Sequence, residues 1–230
     1  MSTWREYWKN QHKVSPNDLQ VSVARTRNKT VIKDADWNVT LKTLNNLIPS
    51  KSTGKSLDLC GGNGLFLPLL TAKSLEVTIV DVNRDLLDQV DRETYSNVIL
   101  VQDDALEFLK NCSDRFDIIF CYAGIQYFDD HEVVELLCLM FERLNYDGVL
   151  LIGDIPDLNR RMDFLQKSGK IDQYFESLTS GLPIIGNWFA QDWIQLLARW
   201  SGFSDVRVIK QNRKLIYSDF RYDLIARKNS

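Results

Sequence analysis

The chain has 230 residues, 44% hydrophobic and 26% charged, enough apolar material for one large globular domain that buries its own core. With 28 Lys and Arg against 31 Asp and Glu the formal net charge is -3, so no basic excess exists to neutralise a phosphate backbone, and nucleic acid is not an expected partner. The opening Met1-Ser2-Thr3-Trp4-Arg5 lacks the apolar core of a signal peptide, and no uncharged run approaches the ~20 residues of a membrane span. These features predict a soluble, cytoplasmic protein.

Cys60, Cys112, Cys121 and Cys138 show no CxxC spacing and read as reduced thiols. With His12 and His131 as the only histidines, a zinc site or a Ser-His-Asp triad has little to work with, and no essential metal is expected.

In chain order, Trp4, Tyr7 and Trp8 crowd a polar segment, as a lid or as a patch that docks onto the domain, and 19–29 reads as an irregular connection. Asp34 is positioned to cap a helix whose Trp37, Leu41, Leu44 and Ile48 share one face, with Pro49 as its stop signal. That helix is expected to pack on a sheet edge. Residues 1–33 are thus an arm and 34–230 the domain. From residue 56 onward apolar runs alternate with helical patterns, the signature of an α/β fold with helices on both faces of the sheet. Strands are predicted at 56–60, 76–81, 97–101, 116–121, 148–153, 203–209 and 217–227. The clearest helix is 131–144, where Val133, Leu136, Leu137 and Met140 form an apolar stripe behind a cap at Asp130.

The most informative stretch is Ser56-Leu57-Asp58-Leu59-Cys60-Gly61-Gly62-Asn63-Gly64-Leu65-Phe66, which reads strand, tight turn, helix. Its glycines let the backbone turn sharply and let a ligand approach without meeting a Cβ. Seventeen residues beyond Gly64, Val77-Thr78-Ile79-Val80 ends in Asp81, a carboxylate at a strand tip that can accept from both hydroxyls of a ribose. A dinucleotide pattern is disfavoured because Leu67 stands where GxGxxG requires glycine. The segment 49–56 looks like a P-loop, but Pro49 replaces its first glycine and it precedes a strand, so it reads as an exposed linker.

The run Leu57-Asp58-Leu59-Cys60-Gly61-Gly62-Asn63-Gly64 resembles the first motif of the class I S-adenosylmethionine-dependent methyltransferases, and Asp81 stands where that family places its ribose-binding acid. Val101-Gln102-Asp103-Asp104-Ala105 resembles the third motif, and Phe116-Asp117-Ile118-Ile119-Phe120-Cys121-Tyr122 the fourth. The resemblance covers roughly residues 55–155. It departs at Cys60, where the family usually has glycine. It implies a Rossmann-like seven-stranded mixed sheet of order 3-2-1-4-5-7-6 with the last strand antiparallel. It implies S-adenosyl-L-methionine as methyl donor and S-adenosyl-L-homocysteine as product. It also implies a cofactor set of Asp58, Cys60, Gly62, Asn63, Gly64, Asp81, Val82, Asp104, Ala105, Cys121 and Tyr122, to which a further resemblance adds Arg25. Within it, Asp104 would accept from the adenine amino group and Ala105 would offer its N–H. The competing reading is that the glycines only close a turn and Asp58, Asp81 and Asp104 only cap helices.

In-line transfer to a hydroxyl is a matter of alignment, helped by a general base. Tyr127 and Asp154, at the ends of the fourth and fifth strands, are the candidates for positioning or deprotonating the acceptor. A packed ring for Tyr127 and a helix cap for Asp154 or Asp157 are the competing readings. Asp129-Asp130-His131-Glu132 reads as acids opening a helix.

Further segments, Arg25-Thr26, 153–157 with Arg160-Arg161, Gly186-Asn187-Trp188-Phe189 and 217–224, resemble methyltransferases of bacterial polysaccharide and capsule synthesis. That resemblance implies O-methylation of a sugar, a nucleotide sugar or a related precursor, with Arg25 closing over the methionine carboxylate. It also implies that Arg160, Arg161 and Arg221 meet an acidic or phosphorylated acceptor, against surface charge as the alternative. Two other functions stay open: a non-catalytic methyltransferase-like partner subunit, and a protein or nucleic-acid methyltransferase. The acidic balance and the Cys-Tyr-Ala-Gly segment after the fourth strand argue against methylation of base amino groups.

Overall fold

The computed structural model describes residues 3–11, 15, 18–27, 30–48 and 54–229. Pro49, residues 50–53 of the P-loop-like segment and His12 lie outside the described residues. The chain opens with α1 (Thr3–Lys9), a single turn α2 (Leu19–Ser22), the short antiparallel pair β1 (Thr26–Arg27) and β2 (Thr30–Val31), and α3 (Asp34–Asn45). The stretch read from sequence as irregular, 19–29, therefore contains a helical turn, capped by Asp18, whose side chain accepts from the Gln20 and Val21 N–H groups.

Seven further strands form one sheet: β3 (Lys55–Leu59), β4 (Glu76–Asp81), β5 (Val98–Gln102), β6 (Phe116–Tyr122), β7 (Leu144–Pro156), β8 (Ser204–Lys210) and β9 (Arg221–Arg227). Their order is β5-β4-β3-β6-β7-β9-β8, parallel except for β9, which runs antiparallel to both neighbours. Counted along the chain, these seven give 3-2-1-4-5-7-6, the order implied by the resemblance. All seven predicted strands are present, with two changes of extent. β7 starts early, at Leu144, which pairs with Phe116, and reaches Pro156 because β9 pairs with it that far, and β9 starts only at Arg221 because 217–220 form a turn closed by Phe220 N–H on Tyr217 O.

Single-turn helices α4 (Leu67–Leu70) and α5 (Arg84–Leu87) follow β3 and β4, and α6 (Ala105–Asn111) and α7 (Asp130–Arg143) follow β5 and β6. After β7 come α8 (Arg161–Ser168), α9 (Ile171–Thr179) and α10 (Gln191–Trp200). Because strand side chains alternate, the core divides in two. Leu57, Leu59, Ile119, Cys121, Leu150 and Ile152 face α6, α7 and α10. Ile118, Phe120, Tyr122 and Leu151 face the other way, in a cluster with Leu44 and Ile48. The α3 helix thus packs on the face of the central strands, not on a sheet edge, since a stripe of Trp37, Leu41, Leu44 and Ile48 needs an apolar partner wider than an edge strand. Among the described residues no helix is long and apolar enough to cross a membrane.

Two predicted caps shift by one residue. Lys33 takes the N-cap position of α3 without a side-chain bond, and Asp34 lies in the first turn, where its charge still faces the helix dipole. In α7 the cap is Asp129 and not Asp130, because the Asp129 carboxylate and Glu132 form a reciprocal capping box. Glu132 N–H donates to Asp129 Oδ1 at 2.9 Å and Asp129 N–H to Glu132 Oε2 at 2.9 Å. Substituting Asp129→Ala is expected to lower stability by about 1 kcal/mol in urea unfolding. Asp130→Ala, which removes only a first-turn charge, is expected to cost less than half of that.

Candidate active site

Three of the seven described non-glycine residues with positive φ lie where the central parallel strands end. Cys60 follows β3, Ala123 follows β6 and Asp154 lies near the end of β7, and all three are non-glycine residues in left-handed conformation, with φ of 57°, 57° and 60°. Each costs about 1 kcal/mol or more, which makes the tips of these strands a candidate functional region. The same value explains why the first motif usually carries glycine at position 60, and why a residue as small as cysteine replaces it.

The turn after β3 is built on close approach. A Cβ on Gly61 would stand 2.7 Å from Ile79 Cγ2 and 2.8 Å from the Asp58 carboxyl, and Gly62 and Gly64 have φ of 55° and 75°. Asp81, the last residue of β4, holds the turn through Oδ2, which accepts from Gly62 N–H at 2.9 Å, and its Oδ1 accepts from Asn83 N–H at 2.9 Å. Burial pushes the Asp81 carboxyl up to about 6, against the pull of these backbone donors and that of Val82. Below it, Asp58 is buried with Oδ2 unpartnered among the described residues. Burial first, then the Asp81 charge, push it well above the usual carboxylate range. Cys60 and Cys121 meet beside Gly124, and that contact followed by burial holds the Cys60 thiol well up.

The next strand tip carries Asp104. Its Oδ1 caps α6 by accepting from Leu106 and Glu107 N–H, which is the helix-cap reading, and Ala105 is the first helical residue. Its Oδ2 pairs with Arg5 Nη1 at 2.7 Å, and Arg5 also pairs with Glu132. The α1 helix therefore lies across the tips of β4, β5 and β6. Asn83 Nδ2 donates to the Trp8 and Gln11 carbonyls at 2.8 Å, and the Tyr127 ring is held by Trp4 and Trp8 at 5.2 and 5.4 Å. Burial pushes the Tyr127 phenol up. The α2 turn lies on the glycine turn, where Asn63 Nδ2 donates to Leu19 O at 2.8 Å and to Gln89 Oε1 at 2.9 Å.

A buried polar cluster fills the crevice at the ends of β6, β7 and β9. Asp154 Oδ2 accepts from Arg25 Nη1 at 3.0 Å and lies 3.5 Å from Arg221 Nη1, and its Oδ1 accepts from Gln211 Nε2 at 3.1 Å. Burial alone would raise the Asp154 carboxyl, but Arg221 and Arg25 together outweigh it and hold it below the ordinary range. Asp223 Oδ1 accepts from Asp154 N–H and Gln211 Nε2, both at 2.8 Å, and burial pushes this carboxyl up to about 6. Gly153 makes room for the Tyr122 ring, since a Cβ there would stand 2.1 Å from Tyr122 Cδ2. Arg25 lies 4.8 Å over that ring, and burial pushes the Tyr122 phenol well up.

The structure thus gathers the sequence-predicted residues along one sheet edge, in two groups. Cys60, Gly62, Asn63, Gly64, Asp81, Val82, Asp104 and Ala105 surround the β3–β5 tips, with Asp58 beneath. Arg25, Cys121, Tyr122 and Asp154 sit at the β6–β7 tips, with Tyr127 in the turn after β6. Asp157, not Asp154, is the cap, accepting from Asn159 N–H. Arg221 is in the crevice, whereas Arg160 is half exposed beside Asp157 and Arg161 packs over Tyr174. Sequence reasoning does not reach Arg5, Asn83, Gln211 and Asp223, and assigns no role to Gln126 beside Tyr127. Only Asp223 left a signal, an acid inside the apolar strand Tyr222-Asp223-Leu224-Ile225-Ala226.

Residues 57–148 match the family described as "Methyltransferase domain". No curated protein sequence matches the chain. Among solved structures, the chain is similar to a SAM-dependent methyltransferase from Archaeoglobus fulgidus, with a TM-score of 0.60 and 19% identity, over 84% of this chain and 94% of that one. It is similar to an O-methyltransferase family protein from Burkholderia thailandensis, with a TM-score of 0.61 and 18% identity, over 92% and 63%. A third likeness is to phosphoethanolamine N-methyltransferase 2 from Haemonchus contortus in complex with S-adenosyl-L-methionine, with a TM-score of 0.66 and 16% identity, over 100% and 61%. The fold is the one these methyltransferases share.

Asp81 and Asp223 are raised in the folded state, so their contribution to stability is fully present below about pH 4 and is lost as pH rises through about 6. Asp58 acts in the same direction. Asp154, held low, acts the other way, its contribution being present above about pH 4 and lost as pH falls below that. Urea unfolding between pH 4 and 7 is expected to find that Asp81→Asn flattens the decline by about 2 to 3 kcal/mol.

Proposed function

We propose that the protein is an S-adenosyl-L-methionine-dependent methyltransferase that acts on a small-molecule acceptor, by O-methylation of a sugar or polysaccharide precursor, with residues 1–33 as an arm over the 34–230 domain. The observation that carries this reading is the Asp81 carboxylate at the tip of β4, bonded to the Gly62 N–H of a left-handed glycine turn and one strand away from Asp104. The methyltransferase-domain match over residues 57–148 and the shared fold support it. When bound, the cofactor supplies a sulfonium-activated methyl group.

The residues present fit that group. Asp81 accepts from the two ribose hydroxyls, and the backbone at Val82 flanks the nucleoside. Asp104 and the Ala105 N–H take the adenine edge, which requires Arg5 to give up its pair with Asp104 Oδ2. Cys60, Gly62, Asn63 and Gly64 form the turn against the methionine part, Asp58 supports that turn from below, and Cys121 and Tyr122 line the passage to the acceptor. Arg25 faces the methionine carboxylate. Tyr127, clamped between Trp4 and Trp8, and Asp154, ionised and held by two arginines, position the acceptor. The rate advantage comes from alignment in a crevice from which the arm excludes water. Neighbouring folds include both O- and N-methyltransferases, and the choice of oxygen rests on the resemblance at Arg25-Thr26, 153–157, 186–189 and 217–224.

Calorimetric titration of S-adenosylhomocysteine is expected to give binding to the wild-type protein that weakens about tenfold or more in Asp81→Ala, the worth of hydrogen bonds to a charged group. Circular dichroism checks that the variant remains folded. Absence of binding to folded wild-type protein would remove the enzyme reading.

A further inference from the structure

Two buried arginines hold more hydrogen-bonding capacity than the protein uses. Arg25 and Arg221 are 6% and 8% exposed, and their hydrogen bonds to described residues all run through Nη1. Arg25 Nη1 donates to Asp154 Oδ2, and Arg221 Nη1 donates to Gln126 Oε1 at 2.8 Å and to the Asp154 carbonyl. The Nε atom of each is buried without a partner among the described residues. In a guanidinium, Nε–H and the neighbouring Nη2–H form one edge, whose two parallel donors match a carboxylate or phosphate. A buried donor without a partner costs about 1 to 3 kcal/mol, so two in one crevice call for a ligand.

The surroundings keep these edges uncompensated. Asp154 is engaged on the Nη1 side of both arginines. Asp223 directs Oδ1 to Asp154 N–H and Gln211 Nε2, and forms an ion pair with neither guanidinium. The cluster also holds the buried acceptors Asp223 Oδ2 and Gln211 Oε1, neither of which bonds to a guanidinium, and the other close neighbours are aromatic. Arg25 lies over Tyr122, and Arg221 over Tyr217 at 5.2 Å and Phe220 at 5.3 Å. Faces stacked on rings leave only the edges for polar contact.

We propose that Arg221 binds an acidic group of the acceptor, a carboxylate or phosphate, through its Nε edge, while Asp154 positions Arg221 and Arg25 so that acceptor and cofactor lie side by side. This rests on the methyltransferase reading, in which Arg25 takes the cofactor carboxylate. One buried carboxylate then sets the relative placement of both reactants, which is the alignment that an in-line displacement needs. Gln126, bonded to Arg221 Nη1 and fixed by Asn187 N–H on its own carbonyl at 2.8 Å, keeps the Arg221 plane from turning.

The test uses the full chain saturated with S-adenosylhomocysteine and titrated calorimetrically, at constant ionic strength, with glucuronate, sulfate and the neutral sugar glucose. Glucuronate is expected to bind at least about tenfold more tightly than glucose, with sulfate competing for its site. Arg221→Lys keeps the charge but loses the two-donor edge, and is expected to weaken glucuronate about tenfold without changing S-adenosylhomocysteine affinity. Equal binding of acid and neutral sugar, no binding of either anion, or an Arg221→Lys variant within twofold of wild type would overturn the proposal. So would anions that bind only the cofactor-free protein and are displaced by S-adenosylhomocysteine, which would give both arginines to the cofactor carboxylate. The wild-type comparison of acid with neutral sugar stands even if the variant does not fold. If S-adenosylhomocysteine itself fails to bind, the functional reading falls. The same titrations on the cofactor-free protein then decide the Arg221 site alone, supported by acid binding that Arg221→Lys loses and overturned without it.

Discussion

The Asp154 carboxylate is the constraint around which the crevice is arranged. Buried to 1% exposure, it can remain charged only because Arg25 from the arm and Arg221 from β9 both reach it, and Gln211 satisfies its other oxygen. Removing either arginine would leave a buried charge poorly compensated, a loss of several kcal/mol in comparable pairs. The arrangement also ties three distant stretches of chain together. The arm at residue 25, the end of β7 and the start of β9 meet at one carboxylate, and Tyr217 secures the arm again by donating to Thr26 O at 2.6 Å.

The strand tips divide the chemistry. On the β3–β5 side the groups are backbone N–H donors and carboxylates, suited to the hydroxyls and ring nitrogens of a nucleoside. On the β6–β9 side they are guanidiniums and aromatic faces. The glycine turn joins the two halves, and its left-handed residues are the strain the sheet carries to hold it open. The arm lies across both halves: α1 meets Asn83, Asp104 and Tyr127, α2 meets Asn63, and Arg25 meets Asp154. A ligand that uses Asp104 must therefore contend with Arg5.

Much of this was legible in the sequence because it depends on local pattern. Alternating apolar runs mark every strand of the sheet, and the Gly61-Gly62-Asn63-Gly64 turn with Asp81 marks the tight turn after β3 and the acid that bonds to it. Strand order came from family resemblance, since periodicity carries no information about which strands pair. Caps were off by one at Asp34 and Asp130 because two acids in a row give the same sequence signal, and only geometry selects the one whose side chain reaches the free N–H. Gln211 and Asn83 carry no sequence signal, because polar residues in loops look alike until the fold closes long-range contacts. Arg25 and Asp154 are 129 residues apart, and neither position carries a signal of their pairing.

A crystal structure of the protein with S-adenosylhomocysteine tests the central claim most directly. The account predicts the ribose hydroxyls on Asp81, the adenine edge at Asp104 and Ala105 with Arg5 displaced from Asp104 Oδ2, and the carboxylate of the ligand toward Arg25. A nucleoside bound away from the β3–β5 tips, or one that leaves the Arg5–Asp104 pair intact with Asp81 untouched, would contradict it.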